Sequence, residues 1–447
     1  MSLATLPGPR SRYFGEFILA LTRRPLDFLP SLAKDYGDAV RFHIGRQPII
    51  LLSHPDQVRD VLVTNARQFH KGRGLERAKV LLGEGLLTSE DEFHLRQRRL
   101  AQPAFHRARV TGYGDIMADY ADRRARRWTP GQVVDVSREM AAYTLAVVGK
   151  TLFDADIEGE AHEIGEALAA AIAAFNFTVL PLGELLLKLP LPAARRFTRG
   201  RDRLDATIYK MIAERRHAGD DRGDLLSMLL LAHDSEGDGS GMSDEQLRDE
   251  AMTLLLAGHE TTANLLTWAF YLLSQNPDAE ARLHSELDAL GDSPLTAHDV
   301  TRLPYARAVI AETMRLYPPA WIVGRRAMTE YFIGDVRIPP RAIVLMSQWI
   351  VHRDPRWWPD AEVFQPERWL AGGSALHPSR PKFSYFPFGA GTRVCIGEQF
   401  AWMEGTLGLA AFARRWTLRV ADGHRVVPQP IITLRAKHGM RMLTYAR

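Results

Sequence analysis

The chain of 447 residues contains a single cysteine, Cys395, in a setting that suits a reactive thiol. It lies in Phe388-Gly389-Ala390-Gly391-Thr392-Arg393-Val394-Cys395-Ile396-Gly397. Glycines at 389, 391 and 397 let the backbone turn tightly and approach a flat partner. A helix is expected from about residue 396 to 414, and the dipole and free N–H groups at a helix start favour thiolate over thiol. A thiolate is a good iron ligand, and in haem enzymes it pushes electron density towards the metal and favours O–O cleavage. A lone cysteine can equally be a small buried hydrophobe, and local chemistry leaves both readings open. One thiol cannot build an internal disulfide, a Cys-rich zinc cage or an iron–sulfur cluster. A reducing, cytoplasmic setting fits it.

A second group is Ala257-Gly258-His259-Glu260-Thr261-Thr262. Gly258 offers no side chain, so a ligand can approach the helix there. Glu260 and Thr261 set an acid beside an alcohol, a pair that can organise water and deliver protons. A mid-helix threonine can instead bond back to a carbonyl. His94 and Arg98 are four apart and share one helix face. Glu312 and Arg315 are three apart and can pair.

Three other patterns fall away. Asp234-x-Glu236-x-Asp238-Gly239 resembles a calcium loop, but Glu236 and Gly241 stand where the pattern wants Asp or Asn and an apolar residue. His259-Glu260 opens like a zinc-protease motif, with Ala263 where the second histidine must be. His352-Arg353-Asp354 mimics a kinase loop, with Pro359 in place of the metal-binding Asn.

Several elements must position these residues. Ser243 and Gln246 make a capping-box start, and apolar residues run from 247 to 273, so one helix of about 30 residues carries the acid–alcohol pair. Strands are expected at 39–42 and 48–52 around a turn at Gly45, and short strands again between 320 and 350. Residues 90–230 read as successive helices. Residues 353–394 are rich in Pro, Trp and Gly with little periodicity, and such irregular segments are usually functional in a compact domain. Residues 234–241 are polar and Gly-rich and read as a surface loop. No internal repeat is present.

Composition bounds the class. With 46% hydrophobic residues the chain can bury a large core, which excludes disorder. Lys and Arg number 57 against 53 Asp and Glu, and the net +4 does not argue for nucleic acid. The apolar run at residues 17–21 is far short of the ~20 residues that span a bilayer. The uncharged stretch 167–183 contains Asn176 and Pro181 and reads as a buried helix.

Phe388-x-x-Gly391-x-Arg393-x-Cys395-x-Gly397 resembles the haem-binding signature of the cytochrome P-450 family at every defining position. Glu312-x-x-Arg315 is similar to the family's ExxR, and Pro366-Glu367-Arg368-Trp369 to its downstream PERF/W segment. Ala257 to Thr262 is similar to the oxygen-binding motif of the I helix, and His94-x-x-x-Arg98 to the W/HxxxR of the C helix.

The resemblance implies a mainly α fold with a small β region and a long central I helix over a buried haem. Residues 1–447 would form a single haem domain with no fused reductase. It implies haem b, iron protoporphyrin IX, held by Cys395 as metal ligand. Phe388 and Gly397 belong to the cofactor loop, and His94, Arg98, Arg325 and Arg393 face the propionates. Arg326 competes with Arg325. Arginine suits this role because its planar fork pairs with carboxylates. Arg368 would join Glu312 and Arg315 beneath the haem. Ala257, Gly258, Glu260 and Thr261 would serve oxygen.

The implied activity is monooxygenation of a lipophilic small molecule by O2. Two electrons would come from a separate ferredoxin or flavodoxin with its NAD(P)H reductase. A peroxide-using peroxygenase would replace the acid–alcohol pair, and a haem-thiolate isomerase or dehydratase would not need it. Candidate pocket walls are 72–88, 172–186, Leu256, Ala257, 318–323, Ile431 and Ile432. Nine arginines between 94 and 127 against three aspartates suggest a face for an acidic electron donor, with Arg96 and Arg99 as probes. The expectation is a cytoplasmic monomer with no nucleic-acid partner and no membrane span.

Overall fold

The computed structural model describes residues 6–155, 192–219, 221–234 and 239–447. The expected segment 172–186, the stretch 167–183 and residues 235–238 of the polar loop lie wholly or mostly outside them. The chain divides into two compact units. One comprises Met1–Arg73, Ala311–Cys395 and Ile432–Leu434; the other comprises Gly74–Ile310, Ile396–Ile431 and Arg435–Arg447.

The first unit is built on a five-stranded sheet in the order Ala39–Ile44, Gln47–Leu52, Ile343–Met346, Val323–Ala327, Phe69–Lys71. Gly45, with φ of 59°, turns the first strand back on the second. Ala39 lies opposite Leu52 in that antiparallel pair, and Ile49 opposite Ile343 in the parallel pair beside it. The run Ile49-Ile50-Leu51-Leu52 is apolar throughout because both sheet faces are covered. Ile49 and Leu51 pack with Leu29, Leu32, Val40 and Phe42. Ile50 and Leu52 pack with Val58, Leu62, Val344 and Met346.

The second unit is helical. At its centre Asp244–Gln275 starts on a complete capping box: Gln246 N–H donates to the Ser243 hydroxyl and Ser243 N–H to the Gln246 side chain. This helix packs against Val136–Phe153, Pro192–Ala218 and Glu398–Ala413. Most of its residues are buried, as in a helix that crosses a domain interior. A three-stranded sheet in the order Val133–Asp135, Arg441–Ala446, Trp416–Val420 closes the C-terminal part of the unit. The fold is thus mainly α with small sheets. Among the described residues no helix is long and apolar enough to cross a membrane.

Candidate active site

In the first unit the Cys395 loop is set by backbone geometry. Gly389 and Gly391 have φ of 71° and 69°, conformations that a side chain would strain. A Cβ on Gly391 would stand 2.0 Å from the Leu62 carbonyl oxygen, so the loop lies directly on the Asp60–Thr64 turn. Cys395 N–H donates to Phe388 O at 2.9 Å and closes the loop. The Cys395 thiol is exposed, which removes the buried-hydrophobe reading. Along the chain, Gly397 is the N-cap of helix Glu398–Ala413, two residues later than the cysteine. Phe388 and Arg393 are half-buried. Arg325 lies on Val323–Ala327 opposite Lys71 and Val344. Arg326, next along the strand, projects from the other face.

In the same unit the irregular segment 352–369 is pinned by one buried ion pair. Glu312 and Arg315 are both 0% exposed, on helix Pro304–Leu316. Arg315 donates through Nε and Nη2 to the two Glu312 oxygens at 2.9 and 2.7 Å. Its remaining donors reach the carbonyls of His352, Ala361 and Val363. Glu312 also accepts from Gln365 N–H at 3.0 Å and Trp369 Nε1 at 2.8 Å, with Arg368 Nε at 3.4 Å. The pair is therefore a hub for loop carbonyls and amides, as the resemblance implied for Arg368.

In the second unit the long helix is buried along nearly its whole length. The exception at mid-helix is exposed Ala257, flanked by half-buried Leu256, Gly258 and Thr261. Ala257 and Thr261 are one turn apart on one face. The Thr261 hydroxyl donates to Ala257 O at 2.8 Å, the back-bond that sequence could not exclude. Gly258 has a packing reason beside the ligand-access one: a Cβ there would lie 3.0 Å from Val148 Cγ2 of the neighbouring helix. Ala257 presents the open face. Glu260, 7% exposed, is held by Arg435 Nε at 2.5 Å. His94, 3% exposed, and half-buried Arg98 lie on Asp91–Ala101. His94 Nδ1 is 3.4 Å from the Ser89 hydroxyl.

His259 is a packing residue. Its carbonyl and Nδ1 meet the Thr144 hydroxyl at 2.9 and 3.1 Å, and burial pushes its imidazole down to about 4. His352 is likewise held well below its usual value, by burial and then by the Arg315 charge. Both fold as neutral rings, whereas the unfolded chain takes protons near pH 6.5. Their stability contribution is therefore complete above pH 6.5 and declines as pH falls towards 4, by ~3 kcal/mol for His259. Urea midpoints should drop between pH 7 and 5, less steeply in His259→Gln. Flat midpoints in the unmodified protein would contradict this.

Two expectations change. Arg96 and Arg99 are not free charges: both engage Asp234, itself 4% exposed, and Arg96 also bonds Ser240 and Gly241. The start of the polar loop is thus an internal anchor, and neither arginine is a clean probe of docking. Arg435 and Gln365 were missed as site residues because their partners are distant in sequence, and Trp369 was named only as part of the PERF/W-like segment. Only the unusual density of acids in an otherwise apolar helix hinted that a base must come to it.

These residues fit a haem-thiolate centre. The sole thiol is exposed on a loop closed by backbone contacts, and one helix face is open at the acid–alcohol motif. A family model described as Cytochrome P450 matches residues 6–440, and the chain belongs to the cytochrome P450 family. It is a haem-thiolate monooxygenase that uses O2, a redox partner and a lipophilic substrate. It is 44% identical over 428 residues to "Cyclooctatin synthase" of Streptomyces melanosporofaciens, covering 94% of this chain and 91% of that protein. It is 40% identical over 411 residues to "Cyclooctat-9-en-7-ol 5-monooxygenase" of the same organism, covering 91% and 87%. "Pentalenene oxygenase" of Streptomyces avermitilis is 35% identical over 429 residues, covering 96% and 94%.

Proposed function

We propose that this chain oxygenates a cyclic terpenoid, by hydroxylation or epoxidation, with haem b as its cofactor. The observation that carries the reading is the single mid-helix opening at Ala257 and Thr261 in a helix otherwise buried. The substrate class extends to this chain what the names of two relatives state, oxygenation of cyclooctat-9-en-7-ol and of pentalenene. Residues 1–447 act as a single haem domain, as a monomer in the cytoplasm. Cys395 ligates iron, with Phe388 and Gly397 shaping its loop. His94, Arg98, Arg325 and Arg393 hold the propionates. Ala257, Gly258, Glu260 and Thr261 form the oxygen side.

When bound, the haem supplies oxygen binding and O–O cleavage. Glu260 and Thr261 supply protons. At rest each has another partner: Glu260 its Arg435 and Thr261 the Ala257 carbonyl. Releasing a neutral hydroxyl bond costs about 0.5–1.5 kcal/mol, so a χ1 rotation readily turns the Thr261 hydroxyl into the open face. Thr261→Ala should keep haem and substrate affinity while lowering product formed per NAD(P)H consumed, by up to ~10²-fold. An unchanged ratio would remove Thr261 from proton delivery.

Electrons come from a ferredoxin or flavodoxin reduced by an NAD(P)H reductase. With Arg96 and Arg99 committed to Asp234, exposed Arg107 and Arg109 are the better docking candidates. Rim charges act mainly on association rate and are screened over ~10 Å at 0.1 M salt. Arg107→Glu and Arg109→Glu should slow reduction by an acidic ferredoxin at low salt, and equal rates across a salt series would place docking elsewhere. The function itself is tested by spin-state titration. Pentalenene and cyclooctat-9-en-7-ol should shift the ferric haem towards high spin. A shift with a fatty acid, steroid or macrolide and none with either terpenoid would overturn the substrate class.

A further inference from the structure

The segment that leads into helix Glu16–Arg23 holds aromatic side chains out in water. Phe14 is 95% exposed, more than any other large hydrophobic residue among those described, and Tyr13 before it is 56% exposed. Fraying does not explain this, because the chain is fixed on both sides. Before it, Arg41 N–H of strand Ala39–Ile44 donates to Pro7 O at 2.9 Å. A Cβ on Gly8 would collide with Arg41 O, so the backbone lies directly against that strand. After it, buried Phe17 stacks on Phe28 and meets Phe42 edge-on, each with ring centroids 5.7 Å apart. Between these anchors Gly15, with φ of 86°, opens the helix, and Arg12 N–H donates to the Glu16 carboxylate at 2.7 Å. Phe14 is therefore presented by a built turn.

The helix extends the same surface. Phe17 and Ala20 face the core, whereas Leu19 is 39% exposed. A helical side chain leans over the turn N-terminal to its own Cα, so Leu19, whose N–H bonds Gly15 O at 2.9 Å, leans towards Tyr13 and Phe14. Arg10, Arg12, Arg23 and Arg24 are exposed, and none has an ion pair among the described residues. Within residues 10–27 these four cations stand against Glu16 and Asp27 alone, so the patch is net positive. Three apolar residues are too few for the ~1,600 Å² of a standard protein–protein interface. A lipid surface asks for less: aromatic side chains at the headgroup level, flanked by cations that meet anionic lipid.

We propose that this patch docks the enzyme on an anionic lipid surface, with Tyr13, Phe14 and Leu19 entering the headgroup layer and the arginines meeting its phosphates. Among the described residues no helix can cross a membrane, so the attachment is peripheral and reversible. A lipophilic substrate gathers in lipid, and the patch brings the enzyme to that reservoir. The docking stands whichever lipophile is oxidised.

The test is co-sedimentation of the haem-loaded protein with phosphatidylcholine vesicles, with and without phosphatidylglycerol. The protein should pellet with the anionic vesicles, far less with the neutral ones, and less as salt rises. Phe14→Ala should weaken binding about tenfold, and Phe14→Trp, which keeps an aromatic ring for the headgroup level, should restore it. Arg10→Gln with Arg12→Gln should weaken it by about tenfold or more, since each cation near an anionic surface is worth roughly fivefold. All these side chains are exposed, so circular dichroism and the carbon monoxide spectrum should stay unchanged. No binding to anionic vesicles, or undiminished binding in either variant, would overturn the proposal. So would a dimer in gel filtration that Phe14→Ala splits, with no vesicle binding, because the patch would then belong to a second copy of the chain.

Discussion

Cys395→Ser should fold, and should show neither the thiolate spectrum nor monooxygenase turnover above background. The thiol is exposed, and the loop is fixed by backbone contacts: the Cys395 N–H to Phe388 O and Gly391 against Leu62. None of these involves sulfur, so losing it should not unfold the protein. A serine hydroxyl ionises far less readily than a thiol and donates less charge to iron, and the electron push that favours O–O cleavage is lost. Circular dichroism should match that of the unmodified protein. Retained turnover in Cys395→Ser would mean that this residue is not the ligand.

Glu312→Ala should be the most damaging change outside the haem ligand. Glu312 is fully buried and receives Arg315, Gln365 and Trp369, with Arg368 close by. Its loss strands the Arg315 charge at 0% exposure. Breaking such a pair costs ~3–5 kcal/mol, against a net stability of ~5–15 kcal/mol for a typical folded protein. Segment 352–369, which lies between the hub and the Cys395 loop in sequence, should loosen, and little haem-loaded protein should be recovered. Glu312→Gln, which keeps an acceptor for Gln365 and Trp369 but loses the charge, should be intermediate. Normal yield and unfolding temperature in Glu312→Ala would show that the pair is dispensable.

What could be read from sequence followed from local rules. The capping box at Ser243 and Gln246, the Gly45 turn and the doubly buried strand Gln47–Leu52 each announce themselves within a few residues. So do the Cys395 loop glycines and the ExxR spacing. What stayed hidden depends on pairs far apart in the chain. Arg435 reaches Glu260, Asp234 engages both Arg96 and Arg99, and Asp249 and Glu250 accept from the Glu84 and Leu86 amides. Nothing in the periodicity of the 244–275 helix says which acid faces which amide. Arginines counted along a chain cannot be sorted into free and committed charges without their partners. Gly258 illustrates the same limit, since its space is also taken by Val148 of another helix.

The most direct test of the central claim is the absorption spectrum of the intact, purified protein after reduction and exposure to carbon monoxide. Thiolate ligation by Cys395 predicts the strongly red-shifted Soret band peculiar to cysteine-ligated haem, and Cys395→Ser should lack it. A globin-like band in the intact protein, with no red-shifted component in freshly prepared samples, would contradict the account.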